Sequence, residues 1–222
     1  MFVLVLDTST PAVTAAAVEI AGSGQVAVSA ERVGVDPRRH GELLAPAVQA
    51  VLRDAGLAPA DLAAVVAGVG PGPYTGLRIG LVTAAALGDA LAIPTYAVCS
   101  LDAIAYAAPP ASGLVLVAAD ARRREVYWAT YDGQRTRLTG PAVDRPAHVD
   151  TACCTLACGA GAVMYADVLG LPTGPPQFPP AAALAALAAA RVTGRAPAER
   201  LTPLYLRRPD ATEPAPAKAV RQ

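Results

Sequence analysis

Residues 62–91, LAAVVAGVGPGPYTGLRIGLVTAAALGDAL, contain the elements that decide the fold. The apolar run from Ala63 to Val69 is followed by Gly70-Pro71-Gly72-Pro73. A short apolar run followed by glycine and proline is typical of a buried strand that enters a turn. The residues after the turn predict a helix from Gly76 to Leu91, with the hydroxyl of Thr75 as its N-cap. The stretch therefore predicts a strand, a turn and a helix in succession.

The predicted helix is apolar on most sides, which excludes a solvated surface helix. Small residues recur at every fourth position, so one face is a ridge without large side chains. This glycine ridge consists of Gly76, Gly80, Ala84 and Gly88. Two interpretations follow: the ridge packs on the protein's own sheet, or it allows a helix of a partner to approach closely.

The glycine-rich turn is not typical of a nucleotide site. The spacing of Gly70, Gly72 and Gly76 does not match the dinucleotide fingerprint, and no Gly-Lys-Ser/Thr ending of a phosphate loop follows. Pro71 and Pro73 have no N–H group to offer to a phosphate. We therefore interpret the turn as structural.

Length, composition and charge exclude several classes of protein. With 222 residues and 54% hydrophobic content, the chain can form one large domain or two small lobes. A formal net charge of zero argues against broad neutralisation of nucleic-acid phosphates. The opening residues, MFVLVLD, lack a basic segment and reach Asp7 after six residues. We therefore expect neither a signal peptide nor a membrane span, and a cytoplasmic location.

The cysteines are not arranged as a metal site. In the cytoplasm all four are expected to stay reduced. Cys153 and Cys154 are adjacent and would point to opposite faces of a strand, and no histidine or fourth cysteine is spaced to complete a zinc site with them and Cys158. We expect packed apolar thiols and no metal.

The first half of the chain predicts an α/β lobe in which a three-stranded meander precedes alternating helices and strands. Its helix 40–55 carries Leu44, Val48 and Val51 on one side and tolerates Pro46 only in its first turn. A composition break at 109–113 marks a boundary between lobes. The predicted strands are 2–6, 13–20, 25–33, 63–69 and 95–98, and the predicted helices are 40–55, 76–91 and 100–107.

The second half begins as the first does. Residues 114–120, LVLVAAD, repeat the opening VLVLD, and each run ends in an aspartate that precedes a turn and a second strand. This weak repeat predicts two related lobes, 1–108 and 109–208. From Pro209 the sequence lacks periodicity, which predicts a disordered tail, 209–222. Further elements of the second lobe are predicted as strands 125–131 and 155–157, a short helix to about 169 and a helix at about 180–192.

Motifs in a fixed order resemble one known family. They are DTST at 7–10, HGELLAP at 40–46, GPGPYTGLRIG at 70–80, ADARRREVYWA at 119–129 and P-x-YLR at 203–207. Together they resemble the TsaB family over residues 1–207, with Pro73-Tyr74 where the family usually has Ser-Phe. Its members are the partner subunit in the bacterial complex that makes N6-threonylcarbamoyladenosine at position 37 of tRNAs decoding codons that begin with A.

The resemblance implies the α/β fold shared by acetate and sugar kinases, Hsp70 and actin. It consists of two ribonuclease-H-like lobes, of which the second is reduced here. In active members an aspartate at the end of the first strand orients metal and phosphate, and glycine-rich hairpins approach the phosphates. Here the side chains of Arg122 to Arg124 would obstruct such an approach in the second hairpin. The vestigial nucleotide motifs are Asp7, Thr8, Ser9, Asp120, Gly159 and Gly161.

The resemblance also implies a noncatalytic scaffold. It would bind TsaD, which transfers threonylcarbamoyl to adenosine, with TsaE joining as an ATPase and tRNA bound indirectly through the complex. TsaD binds its metal through a His-x-x-x-His pair, whereas His40 and His148 are far apart in this sequence. We expect no catalytic residue, no metal and no cofactor. A residual ATP-binding protein or small-molecule kinase is the alternative, and a peptidase is disfavoured because the metal pair is missing.

The apolar helices 40–55 and 76–91 are predicted as the face that binds TsaD. Without the partner, the same face predicts a homodimer. Arg122 to Arg124 are interpreted either as a solvated hairpin or as a contact to tRNA or to an acidic partner surface. The predicted interface residues are His40, Leu44, Val48, Val51, Gly76, Arg78, Gly80, Ala84, Leu87 and Gly88.

Overall fold

The computed structural model describes residues 1–207, which form two five-stranded sheets with helices on both faces. In the first sheet the strand order is β3-β2-β1-β4-β5. The first three strands are antiparallel neighbours, whereas β4 and β5 run parallel to β1. These strands are β1 (Phe2–Asp7), β2 (Ala12–Ile20), β3 (Val26–Val35), β4 (Leu62–Gly68) and β5 (Thr95–Val98).

The second sheet repeats this arrangement. Its order, read from the antiparallel edge, is β8-β7-β6-β9-β10, with β9 and β10 parallel to β6. Asp120 ends β6 as Asp7 ends β1, so the weak sequence repeat corresponds to a repeated topology. These strands are β6 (Leu114–Asp120), β7 (Val126–Tyr131), β8 (Arg137–Asp144), β9 (Cys154–Cys158) and β10 (Thr173–Gly174).

Each sheet is covered by helices on both faces. Alternate residues of β1 point to opposite sides, so Leu4 and Leu6 meet α1 and α2, whereas Val3 and Val5 meet α6. The second sheet packs against α3 on one face and against α4 and α5 on the other. The helices are α1 (His40–Asp54), α2 (Tyr74–Leu91), α3 (Ser100–Ala107), α4 (Ala160–Met164), α5 (Ala166–Leu169) and α6 (Ala181–Thr193).

Helices cross the predicted boundary between the lobes in both directions. Helix α3 precedes residue 109 but contributes Leu101 and Ile104 to the core of the second sheet. Helix α6 follows that boundary, yet it covers the first sheet with residues such as Leu184 and Ala188. The predicted boundary at 108/109 therefore separates the strands of the two sheets, but it does not separate the helices that pack on them.

After α6, residues 194–207 form a C-terminal strap along the first sheet. The Glu199 amide donates to the Thr95 carbonyl at 2.8 Å, and the Leu204 amide donates to the Val69 carbonyl at 2.9 Å. The Glu199 carboxylate accepts from the Ala97 amide at 3.0 Å and from Arg191 at 2.8 Å. Burial raises the pKa of Glu199, but these hydrogen bonds outweigh burial and hold it below its usual value.

Three sequence-based predictions of local structure need correction. Helix α2 begins at Tyr74, with Pro73 as its N-cap and no side-chain cap, so Thr75 lies within the helix. Pro46 lies beyond the first turn of α1, because that helix already begins at His40. Strand β8 was not predicted, since it is an exposed edge strand that contains Gly140-Pro141. The predicted disordered tail, 209–222, lies outside the described residues.

Candidate functional site

The parallel strands of the first sheet end together at one edge. Strand β1 ends at Asp7, its neighbour β4 at Gly68, and β5 at Val98. In open α/β sheets, ligands bind outside the carboxyl ends of parallel strands. Asp7 therefore lies where a ligand of such a sheet would be expected to bind.

Asp7 is enclosed and bonded within the chain. The side chain is 1% exposed. Its Oδ1 accepts from the Ser9 amide at 3.0 Å and the Ser9 hydroxyl at 2.8 Å, and its Oδ2 accepts from the Ser100 hydroxyl at 2.6 Å. Burial raises the pKa of Asp7, against the opposing effect of the bonds from Ser100 and Ser9. Both carboxylate oxygens thus already have partners from the protein itself.

Gly68 and Ser100 complete this enclosure. A Cβ atom at Gly68 would lie 1.8 Å from Oδ2 of Asp7. Only glycine therefore allows the β4 backbone to approach the carboxylate this closely. Ser100 was missed as a site residue by the sequence reasoning. The available signal was its position two residues after β5, whose carboxyl end lies at the same edge as Asp7.

Thr8 and Thr95 fix the glycine ridge of α2 against the first sheet. The Thr8 hydroxyl donates to the Gly76 carbonyl at 2.7 Å and accepts from the Gly80 amide at 3.0 Å. A Cβ atom at Gly80 would lie 2.4 Å from this hydroxyl, and one at Gly88 would lie 2.6 Å from Cγ2 of Thr95. The ridge therefore packs within the chain, and its interpretation as a partner surface is wrong.

Burial also removes most of the other predicted interface residues from that role. His40, Leu44, Val48 and Val51 are buried beneath α1, as are Gly80, Ala84 and Gly88 beneath α2. Gly76 and Leu87 are half-buried, and only Arg78 is exposed. The prediction failed because a helix that is apolar on most sides does not reveal which side faces the sheet.

A cleft of about 220 Å³ lies beside the enclosed aspartate. It is bounded by the loop after β1, the starts of α1 and α2, and the hairpin after β6. His40 lies in its wall, where Nε2 donates to the Thr10 carbonyl at 2.8 Å. Thr8, Thr10, His40, Tyr74 and Arg122 contribute to its lining. The structure thus brings together residues that the sequence analysis had assigned to separate motifs.

The second sheet has its own aspartate, Asp120, at the equivalent strand end. Its Oδ1 accepts from the Arg122 amide at 2.8 Å, and its Oδ2 lies 3.6 Å from the Arg122 guanidinium. Gly159 and Gly161 adjoin β6, where Cβ atoms would lie 2.2 Å from the Ala118 carbonyl oxygen and 2.8 Å from the Ala119 carbonyl carbon. Close packing of α4 on β6 therefore accounts for both glycines.

The thiols and histidines of the described chain do not form a cluster. Within residues 1–207, no three His, Cys, Asp or Glu side chains are placed to hold a metal ion. Cys154 and Cys158, at the two ends of β9, are buried, whereas Cys153 lies in the turn before this strand and is exposed, so the expectation of packed thiols does not hold for Cys153. Burial and the nearby Asp102 raise the pKa of Cys99 to about 11, so this thiol stays protonated at neutral pH.

No helix in residues 1–207 combines the length and the apolar character needed to cross a membrane.

The amino-acid sequence has several relatives. It matches the family described as TsaD, tRNA N6-adenosine threonylcarbamoyltransferase, over residues 20–156. An uncharacterized protein of Mycobacterium tuberculosis is 52% identical over 94% of this chain and 93% of its own. The tRNA threonylcarbamoyladenosine biosynthesis protein TsaB of Bacillus subtilis is 40% identical over 47% of this chain and 45% of its own. TsaB of Escherichia coli is 37% identical over 59% of this chain and 55% of its own.

The fold is similar to that of proteins from Pseudomonas aeruginosa. A structure described as YeaZ is 30% identical, with a TM-score of 0.73 over 92% of this chain and 99% of that one. Another, described as an uncharacterized protein with similarity to peptidase YeaZ, is 31% identical, with a TM-score of 0.74 over 93% and 99%. Because the TsaD family matches more than half of the 222 residues and two relatives are named TsaB, the chain belongs to the TsaD family and is a TsaB-like protein within it.

Proposed function

We propose that the chain is a noncatalytic partner subunit of a TsaD-type transferase. In this role it supports the transfer of threonylcarbamoyl to N6 of adenosine 37 in tRNAs that read codons beginning with A. The names of the TsaB relatives support a role in threonylcarbamoyladenosine biosynthesis. The noncatalytic role rests on one observation: both oxygens of Asp7 are bonded to Ser9 and Ser100 in a buried position. A kinase would need this carboxylate to face its metal and phosphate.

The proposed architecture is a pair of ribonuclease-H-like lobes of the kinase, Hsp70 and actin superfamily. The strand order common to the two sheets supports it. One lobe comprises 1–108 together with 181–207, because α6 and the strap pack on the first sheet, and α3 lies between the lobes and contributes to both cores. The other comprises 109–180 and keeps five strands, but its helices are reduced, since α4 and α5 have 5 and 4 residues against 15 in α1.

The outward faces of α1 and α2 form the proposed partner surface. On α2, Val82 is 62% exposed, and its exposed neighbours Ala85 and Ala86 are small. On α1, Ala45 and Pro46 are exposed as well. A smooth apolar strip of this kind is suited to close helix packing. The matched family spans both helices, so a TsaD-type partner would present an equivalent pair and the two chains would associate about a pseudo-two-fold axis.

The same surface accounts for the remaining proposed associations. In isolation the chain would form a homodimer, because each copy presents the strip that the transferase would otherwise cover. A TsaE-type ATPase would join the assembled pair, and tRNA would enter through the complex.

Coexpression with the TsaD-type transferase of the same organism tests the proposal. We expect the two chains to copurify, and we expect the chain to restore threonylcarbamoyladenosine in the tRNA of cells depleted of their own TsaB. Mass spectrometry of digested tRNA measures this nucleoside. Copurification without restored modification would contradict the functional role, and purified chain that modifies tRNA alone would contradict the noncatalytic role.

A further inference from the structure

The hairpin between β6 and β7 carries three consecutive arginines in an unusual conformation. Arg122, Arg123 and Arg124 have φ angles of 62°, 53° and 61°, in the left-handed region. Glycine adopts this conformation without the steric penalty of a Cβ atom. All three side chains are exposed, so core packing does not explain their presence. Within residues 1–207 these are the only consecutive non-glycine residues with positive φ, and unfavourable backbone concentrated at one site points to a role for the side chains.

The hairpin is locally basic although the chain is neutral overall. Arg207, at the end of the strap, pairs with Glu125 and donates to the Ala121 carbonyl at 3.1 Å. Arg122 lies 3.6 Å from Asp120. The guanidinium groups of Arg122 to Arg124 and Arg207 thus outnumber the two carboxylates of the hairpin. Excess positive charge is concentrated in one place in a protein whose formal net charge is zero.

An exposed aromatic pair adjoins this basic hairpin. Tyr205, two residues before Arg207, stacks on Tyr74 with ring centroids 4.9 Å apart. Tyr205 is 38% exposed and Tyr74 is 44% exposed. The Arg78 guanidinium lies 4.9 Å from the centroid of the Tyr74 ring. Tyr74 and Arg122 line the same cleft, so the aromatic pair and the hairpin form one continuous surface.

We propose that this surface binds RNA, with the guanidinium groups of Arg122 to Arg124 on backbone phosphates and the Tyr74–Tyr205 pair against an unpaired base. Arginines beside exposed aromatic rings are the combination that holds single-stranded nucleic acid. An acidic protein surface would use the charges but would leave the aromatic faces without a matching group. The inference rests on the proposed function, since the RNA would be the tRNA that the complex modifies.

Fluorescence anisotropy with an unmodified tRNA that reads a codon beginning with A tests the surface, using the chain in complex with its transferase partner. In the hairpin variant, Arg122, Arg123 and Arg124 are each replaced by alanine. We expect tRNA affinity to fall at least about tenfold at about 0.1 M salt. The slope of the logarithm of the association constant against the logarithm of salt concentration is negative, and its magnitude should decrease by about 2. Tyr205→Ala should weaken binding without changing this slope, because stacking releases no counterions.

A matched control removes the same charge elsewhere. In the control variant, Arg137, Arg195 and Arg200 are each replaced by alanine, because these residues are also exposed and none of them lies on α1 or α2. Arg195 has a left-handed φ of 51°, so the control includes the same backbone conformation. It lies near Met1, at the end of β1 opposite to Asp7. We expect the control to bind tRNA within about twofold of the unmodified chain, because its charges do not face phosphates.

The outcomes separate this inference from the proposed function. Unchanged tRNA affinity in the hairpin variant would overturn the RNA surface. Loss of the transferase from the hairpin variant, but not from the control, would assign the arginines to an acidic protein surface and would also overturn it. If the unmodified chain fails to bind the transferase, the proposed function fails. The same comparison made with the isolated chain then decides whether the hairpin binds RNA.

Discussion

Gly80→Ala is expected to lower the free energy of unfolding by about 2 to 3 kcal/mol, although alanine normally stabilises a helix interior relative to glycine. The added methyl group would lie 2.4 Å from the Thr8 hydroxyl. This hydroxyl is held by bonds to Gly76 and Gly80, so it cannot turn away without breaking both. The new methyl group must therefore displace α2 from the loop after β1.

Urea denaturation of Gly80→Ala beside Gly41→Ala measures this effect. Gly41 lies in α1, and a Cβ atom there would make an ordinary contact at 3.8 Å with Ile79. The Gly41 variant should be as stable as the unmodified chain or slightly more stable. A Gly80 variant of normal stability that fails to bind the transferase would restore the glycine ridge to the partner surface.

Val82→Arg is expected to weaken binding to the TsaD-type partner by about 100-fold while leaving the isolated chain equally stable. The Val82 side chain is 62% exposed on the outward face of α2, so a longer charged group meets no neighbour in the free chain. Across the proposed interface the same charge would be removed from water without a partner. Titration calorimetry with the transferase measures the affinity, and thermal unfolding measures the stability.

Val163→Arg is the matched control for this change. Val163 is also an exposed helical valine, at 44%, but it lies on α4 beside the second sheet. Its replacement should leave partner binding unchanged. Unchanged affinity in the Val82 variant would place the partner surface elsewhere. Weakened binding in both variants would indicate a nonspecific effect of the added charge.

The sequence was informative wherever burial leaves a regular pattern. Continuous apolar runs that end in aspartate or glycine located β1, β4 and β6, because strands covered by helices on both faces cannot carry polar residues. Strand β8 has no such pattern because it is a largely exposed edge strand. Periodicity therefore identified the central strands of the second sheet and missed both of its edge strands, β8 and the two-residue β10.

Contacts between distant parts of the chain could not be read from local patterns. The hydroxyl of Ser100 reaches Asp7 across 93 positions of sequence, and Tyr205 stacks on Tyr74 only because the strap returns along the first sheet. The glycine ridge was recognised, but the choice between sheet and partner depended on where Thr8 would lie. Motifs at the ends of strands thus predicted where the site lies. That Asp7 is enclosed by Ser9, Gly68 and Ser100 could be seen only in the structure.

Asp7 is expected to have a structural role. Asn in its place can still accept from Ser9 and can donate to the Ser100 hydroxyl. Burial raises the pKa of Asp7 above its unfolded value of 3.8, so the ionised group reduces stability as the pH rises through the folded-state pKa. The stability of Asp7→Asn relative to the unmodified chain should therefore increase from acidic to neutral pH, as measured by thermal unfolding.

The most direct measurement is the rate of threonylcarbamoyladenosine formation in a reconstituted assay that contains the transferase, the ATPase, tRNA and either the unmodified chain or Asp7→Asn. A noncatalytic subunit predicts equal rates with the two chains, and no product when the chain is omitted. A loss of about 100-fold or more with Asp7→Asn, in a complex that assembles normally, would show that this carboxylate takes part in the chemistry and would contradict the account.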